Sequence, residues 1–129
     1  MSEISIRESA GLLAYSPLAA GYLTGKYRNN QIPKNSRMDL FYNNYPRYHN
    51  TRTYDAVDEY FKIAQKYKLT LTQLSQAFVN SRDFVTSNII GATTMKQLKE
   101  NVESISISLD SKIVDEINFV HEKIPNPAP

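Results

Sequence analysis

Short apolar runs alternating with amphipathic helical periods predict an α/β chain with parallel strands. Three observations carry this. Leu12-Leu13-Ala14-Tyr15 is a continuous apolar run, too short for a helix, that fits a strand buried on both faces. Ser87 to Gly91, with Ile89-Ile90, is a second run of the same kind. The order is strand, long loop, two helices, strand, two helices, which suits parallel pairing through crossovers. Two strands alone make a marginal sheet in water, so the helices need more sheet than the chain offers. Residues 1–129 are therefore expected to form a single partial domain, or to require a partner.

The elements follow in order. Residues 3–9 have the polarity of a helix end, and Gly11 is placed to stop it. Ser16-Pro17 ends the first strand, because Pro17 has no backbone donor. Residues 27–50 are rich in Asn, Pro, Arg and Tyr without a period, and predict a long loop. From about Thr53, Val57, Tyr60, Phe61, Ala64 and Tyr67 recur at helical spacing, with Asp58-Glu59 facing Lys62 and Lys66 on the solvent side. Thr70 and Gln73 have capping-box spacing ahead of Leu71, Leu74, Ala77 and Phe78. Thr94 and Gln97 repeat that spacing, and the helix continues through Leu98, Val102 and Ile105. Asp110 caps a last helix with Ile113, Val114, Ile117 and Val120 on its buried face. The tail, residues 123–129, is Pro-rich, and Pro125–Pro129 cannot be helical.

Composition excludes several functions. Hydrophobic residues make up 41% and charged residues 22%, as in a globular chain. There is no cysteine, so disulfides, thiolate nucleophiles and Cys-based metal sites are excluded, and a cytoplasmic location is expected. No apolar run is long enough to cross a membrane, and the first ten residues are polar. The two histidines, His49 and His121, lack metal-ligand spacing, and no nucleophile triad can be assembled. The net charge of +2 does not argue for nucleic acid. A weaker nucleic-acid reading rests on Arg28, Arg37, Arg47 and Arg52 among Tyr42, Tyr45 and Tyr48. Lys26, Arg28, Lys34 and Arg37 come with no acidic residue before Asp39, a cluster that suits an anion but also describes a solvated basic loop.

In a parallel βα unit, ligands bind beyond the C-terminal ends of the strands. Two segments qualify, Ser16–Lys26 and Gly91–Asn101. Gly91 permits close approach, and Thr93-Thr94 lead into a helix N-terminus that favours an anion. Gln97, Glu100 and Asn101 could hydrogen-bond an adenine-like edge, or serve as a cap, an ion-pair partner and a surface residue. Thr24-Gly25-Lys26 does not meet the phosphate-loop spacing of nucleotide triphosphatases.

These residues carry a resemblance. Residues 12–27 (LLAYSPLAAGYLTGKY) and 89–102 (IIGATTMKQLKENV) resemble the seventh and eighth strands, with their loops, of aldo-keto reductases. The ending from His121 to Pro129 is similar to the Tas-type branch, and potassium channel beta subunits are also similar. The resemblance implies the C-terminal segment, the seventh and eighth βα units, of a (β/α)8 TIM barrel. It implies NADP(H) as cofactor. Tyr15 would lie by the nicotinamide, and Ser16, Pro17, Leu18, Ala19 and Gly21 would wrap the pyrophosphate. Lys26 and Arg37 would neutralise phosphate, Arg37 at the 2′-phosphate. Gly91, Thr93 and Gln97 would serve the adenosine phosphate, and Glu100 and Asn101 the adenine. Gln97 stands where relatives often carry arginine, which leaves the phosphate charge to Arg37, Lys26 or Lys96.

The family's catalytic tetrad comes from the first half of the barrel, and none of the nine tyrosines sits in its context. No catalytic residue is therefore assigned, and the chain is expected to bind cofactor without turnover unless the missing half of the barrel is supplied. The alternative is an interaction or regulatory module, or a gene remnant, that self-associates into an oligomer without binding nucleotide.

Overall fold

The computed structural model describes residues 2–129. The chain opens with helix α1 (Ser2–Arg7), then strand β1 (Leu12–Tyr15). A run of 3-10 turns surrounds the short helix α2 (Arg37–Phe41). Helices α3 (Thr51–Lys66) and α4 (Leu71–Asn80) lead to strand β2 (Val85–Ile89), followed by α5 (Met95–Glu103) and α6 (Ser111–Lys123). The strands pair in parallel as a two-stranded sheet, with Leu12 beside Val85 and Tyr15 beside Ile89. The α/β order is as expected, but β2 begins two residues earlier than the Ser87–Gly91 run and ends before Ile90.

Gly11 is needed for a different reason from helix termination. The left-handed residue after α1 is Ser9, with φ of 50°. A Cβ on Gly11 would stand 2.5 Å from the Thr86 Oγ1, beside the register irregularity between Leu12 and Leu13. Gly11 thus admits the close approach of β2 at its bulge.

The expectation that both strands are buried on both faces fails. Leu12 and Ala14 turn toward the packed side, whereas Leu13 and Tyr15 are 61% and 74% exposed. Ile89 and Ile90 are likewise exposed. A two-stranded sheet covered by helices on one face leaves its other face open.

The core lies between α3, α4, α6 and the 3-10 turns, and includes Tyr22, Tyr27, Met38, Val57, Leu74, Ile113 and Ile117. Asn50 caps α3 through the Thr53 N–H, and Thr70 and Gln73 form the reciprocal box on α4. Asp110 caps α6 through the Ile113 N–H. Residues 27–50 are not a structureless loop. They fold through short helical turns with Met38 and Tyr48 buried. The tail is pinned to the start of α3: Arg52 donates to the Pro125 carbonyl at 2.7 Å, and the Thr53 hydroxyl to that of Pro127 at 2.8 Å.

Helix α5 and the 3-10 turn after it (Ser104–Ser106) turn their apolar residues outward. Leu98, Val102 and Ile105 are exposed, while Asn101 and Ser104 are buried. Ser104 donates to the Asn101 carbonyl at 2.6 Å, and the Asn101 side chain accepts from Gln76 of α4 at 3.3 Å. A buried polar stripe is tolerated because each member has a partner.

Candidate functional site

Parallel pairing brings the two candidate segments to one edge. Because Tyr15 is the register partner of Ile89, the loops that begin at Ser16 and Ile90 leave the sheet side by side.

The first loop is held in an unusual backbone. Ser16, Ala19 and Ala20 have φ of 58°, 47° and 54°, and Gly21 has 101°. A left-handed non-glycine costs about 1–2 kcal/mol, so the loop holds strain that its surroundings must offset. They do so with Ala19 N–H to the Ser16 carbonyl at 2.9 Å and Gly21 N–H to that of Leu18 at 2.8 Å. The Thr24 hydroxyl also donates to the Gly21 carbonyl at 2.8 Å. Pro17, Leu18, Ala19 and Gly21 are half-buried, while Tyr15 and Ser16 are exposed. The Lys26 amine folds back over the loop: a Cβ on Gly21 would lie 3.4 Å from its Nζ.

The basic cluster divides. Arg28 pairs with Asp58 at 2.6 Å and lies over the Phe61 ring at 3.5 Å, so it anchors the loop to α3. Among the described residues, no carboxylate pairs with Lys26 or Arg37. Arg37 opens α2 and lies over the Tyr45 ring at 5.9 Å. The arginine and tyrosine array weighed for nucleic acid is partly engaged within the chain. Arg28 is neutralised, Arg47 bonds the Tyr48 hydroxyl at 3.0 Å, Arg52 holds the tail, and Tyr48 is buried.

The second loop is open. Gly91 has nothing within 4 Å of where a Cβ would be, and Thr93 is exposed. Thr94 caps α5 through the Gln97 N–H. The reciprocal bond is displaced by one residue: the Gln97 Oε1 accepts from the Thr93 N–H at 2.9 Å and the Thr93 hydroxyl at 3.0 Å. The Met95 and Lys96 N–H groups have no intrahelical acceptor and point out of the helix end. Glu100 accepts from the Thr70 hydroxyl at 2.6 Å, which ties α5 to the cap of α4. Asn101 is 5% exposed and donates to the Gly91 carbonyl at 3.3 Å. It therefore supports the loop from beneath.

Tyr22, Tyr27 and His49 connect the first loop to the Arg37 segment, and no periodicity in the sequence signals them. The Tyr27 hydroxyl accepts from the Met38 N–H at 3.3 Å. The Tyr22 hydroxyl lies 2.8 Å from the His49 Nδ1, and burial, followed by neighbouring Tyr54, pushes this phenol above its ordinary pKa. Two surface hollows open on other elements, the second of them lined in part by Asn101. One of about 390 Å³ lies between α3 and α6, beside Lys66 and Phe119, and another of about 370 Å³ lies along β2 and α5. Among the described residues no cluster of metal-binding side chains occurs, and no helix is long and apolar enough to cross a membrane.

The glycerol dehydrogenase of Gluconobacter oxydans is a solved structure similar to this one. It matches with a TM-score of 0.74 at 22% identity, over 100% of this chain and 39% of its own. This likeness establishes the fold as part of an α/β barrel. Protein tas of Escherichia coli is 43% identical over 100% of this chain and 37% of its own length. A probable voltage-gated potassium channel subunit beta of Arabidopsis thaliana is 35% identical, over 89% of this chain and 36% of its own. The chain thus spans little more than a third of these relatives. A sequence model of the Aldo/keto reductase family matches residues 4–122, and the chain belongs to that family.

Proposed function

We propose that this chain is the cofactor-binding portion of an NADP(H)-dependent carbonyl reductase, formed by the seventh and eighth βα units of the barrel. The observation that carries this reading is the parallel register of Tyr15 with Ile89, which sets the two loops side by side. The residues fit a dinucleotide. Among the described residues no carboxylate pairs with Lys26 or Arg37, and Gly91 offers unobstructed backbone beside the N-terminus of α5. When bound, the nicotinamide supplies a hydride for carbonyl reduction.

Each residue then has a physical task. Tyr15, exposed at the end of β1, offers its ring face to the nicotinamide. Ser16, Pro17, Leu18, Ala19 and Gly21 shape a rigid backbone wall for the pyrophosphate. Lys26 supplies a point charge there, and Arg37 a planar fork for the 2′-phosphate. Gly91 and Thr93 receive the adenosine phosphate, helped by the N-terminus of α5. The Gln97 carbonyl is occupied by Thr93, which leaves its amide N–H groups to donate. Glu100 takes the adenine edge, with Asn101 holding the loop below. Proton donation and substrate binding fall to the rest of the barrel, so the isolated chain holds cofactor without turnover.

Calorimetry on the purified chain tests this, with NADPH as ligand and NADH as control. Micromolar binding, about −8 kcal/mol, supports the reading. Arg37→Ala should then weaken NADPH more than NADH. No binding at millimolar cofactor would leave the second reading, a self-associating module. The open sheet face formed by Leu13, Tyr15 and Ile89 favours that alternative.

A further inference from the structure

We infer that Tyr22 and His49 form a latch that holds the Arg37 segment against the strained Gly21 loop and so sets the preference for a phosphorylated ribose; the selectivity part rests on the dinucleotide reading above. The two segments share no strand pairing and are separated by residues 27–36, with Lys26 on one and Arg37 on the other. Their relative placement decides whether both cations can address one ligand.

Side chains make the join. The His49 ring stacks on Tyr42 at 3.7 Å, nearly parallel at 4°. Its Nε2 lies 2.9 Å from the Tyr42 carbonyl, which can only accept, so Nε2 carries the hydrogen. In the neutral ring Nδ1 then accepts, and the Tyr22 hydroxyl donates to it at 2.8 Å. One imidazole thus closes the 42–49 turn on itself and fastens it to the 3-10 turn that follows Ala19. Tyr22 is 2% exposed and His49 half-buried, so loss of the bond leaves the phenol hydroxyl without its partner at the edge of the core. Tyr22 also stacks on Tyr48 at 5.2 Å. At the other end of the segment, Tyr27 bonds the Met38 N–H at 3.3 Å. Arg37 adjoins Met38, and its guanidinium lies over Tyr45, inside the latched stretch. His49 touches no ligand in this scheme. It is a positioning residue that acts through Arg37.

Three variants separate a latch from ordinary packing. Tyr22→Phe keeps the buried ring and removes only the hydroxyl. His49→Phe keeps the stacking on Tyr42 and removes both bonds. His49→Gln offers one acceptor and one donor and should restore the connection. The first readout is trypsin cleavage after Arg37 and Arg47 without cofactor, with thermal melts confirming that each variant is folded. Tyr22→Phe and His49→Phe should be cut about fivefold faster, and His49→Gln at the wild-type rate. The second readout is calorimetry. The same two variants should bind NADPH about tenfold more weakly, roughly 1.4 kcal/mol, with much less change for NADH. In an Arg37→Ala background, Tyr22→Phe should add nothing, because the latch acts through that arginine.

Equal losses for NADPH and NADH would reduce the pair to packing and overturn the selectivity role. Unchanged cleavage would overturn the latch itself. A wild-type chain that binds neither cofactor would sink the dinucleotide reading and the selectivity role together, and cleavage alone would then decide the latch.

Discussion

Gly91 and Asn101 share a hydrogen bond, yet substitutions at the two should separate affinity from stability. Gly91 has ordinary backbone angles, and a methyl group there would meet nothing within 4 Å. Gly91→Ala should therefore melt within about 0.5 kcal/mol of wild type. A phosphate drawn close to that backbone would meet the methyl, so NADPH affinity should fall. Asn101→Ala should do the reverse. It strips Gln76 of an acceptor and the Gly91 carbonyl of a donor in a buried setting. About 1–3 kcal/mol of stability should go, read as a lower melting temperature without cofactor. An unchanged melt with lost adenine-nucleotide binding would return Asn101 to direct contact with the ligand.

At the scale of elements, α3 and α6 are joined at one end by a single carboxylate. Glu116 accepts from Lys66 at 2.6 Å and from the Tyr67 hydroxyl at 2.8 Å. The Lys66 bond first, then Tyr67, holds the Glu116 carboxyl below its ordinary range, while Glu116 in turn raises the Lys66 ammonium. A depressed carboxylate stabilises the fold above its unfolded pKa of about 4.3, and that contribution is lost as pH falls through the lower folded value. The raised lysine contributes below about 10.4 and loses its part as pH rises through the higher folded value. The melting-temperature gap between wild type and Glu116→Gln should thus be small but level near neutrality, and close in acid. Because Lys66 is exposed and Glu116 only half-buried, added salt should narrow it too. A gap that grows in acid would refute the assignment.

These helices were legible in the sequence for the same reason they pack well. The apolar spacing of Val57, Ala64, Leu74, Ile113 and Ile117 is local, and so is the Thr70–Gln73 cap. What was hidden depends on distant partners. Apolar periodicity points α5 the wrong way because Asn101 and Ser104 are satisfied only once Gln76 comes near. The 27–50 stretch has no period because Tyr22, Tyr27 and His49 order it across the chain. The basic cluster could be seen from composition, but only the fold shows Arg28 drawn away by Asp58.

At the scale of the whole molecule, helices cover one face of a two-stranded sheet and leave the other bare. Leu13, Tyr15 and Ile89 stand on that bare face, and Met95, Leu98 and Val102 of α5, with Ile105 in the 3-10 turn after it, are exposed as well. Open strand edges beside an apolar patch invite further chain, whether barrel units or another copy. In the absence of such units, the purified chain should scatter light as more than a single copy, increasingly so with concentration. Val102→Lys with Ile105→Lys tests which surface is responsible. Both residues are exposed, so the pair should fold normally, and the added charge should oppose association through α5. A shift to the single-chain mass would place the contact on α5. An unchanged assembly that dissolves instead with Leu13→Lys would place it on the sheet. A monodisperse single copy in the wild type would show that this surface stays in water uncovered.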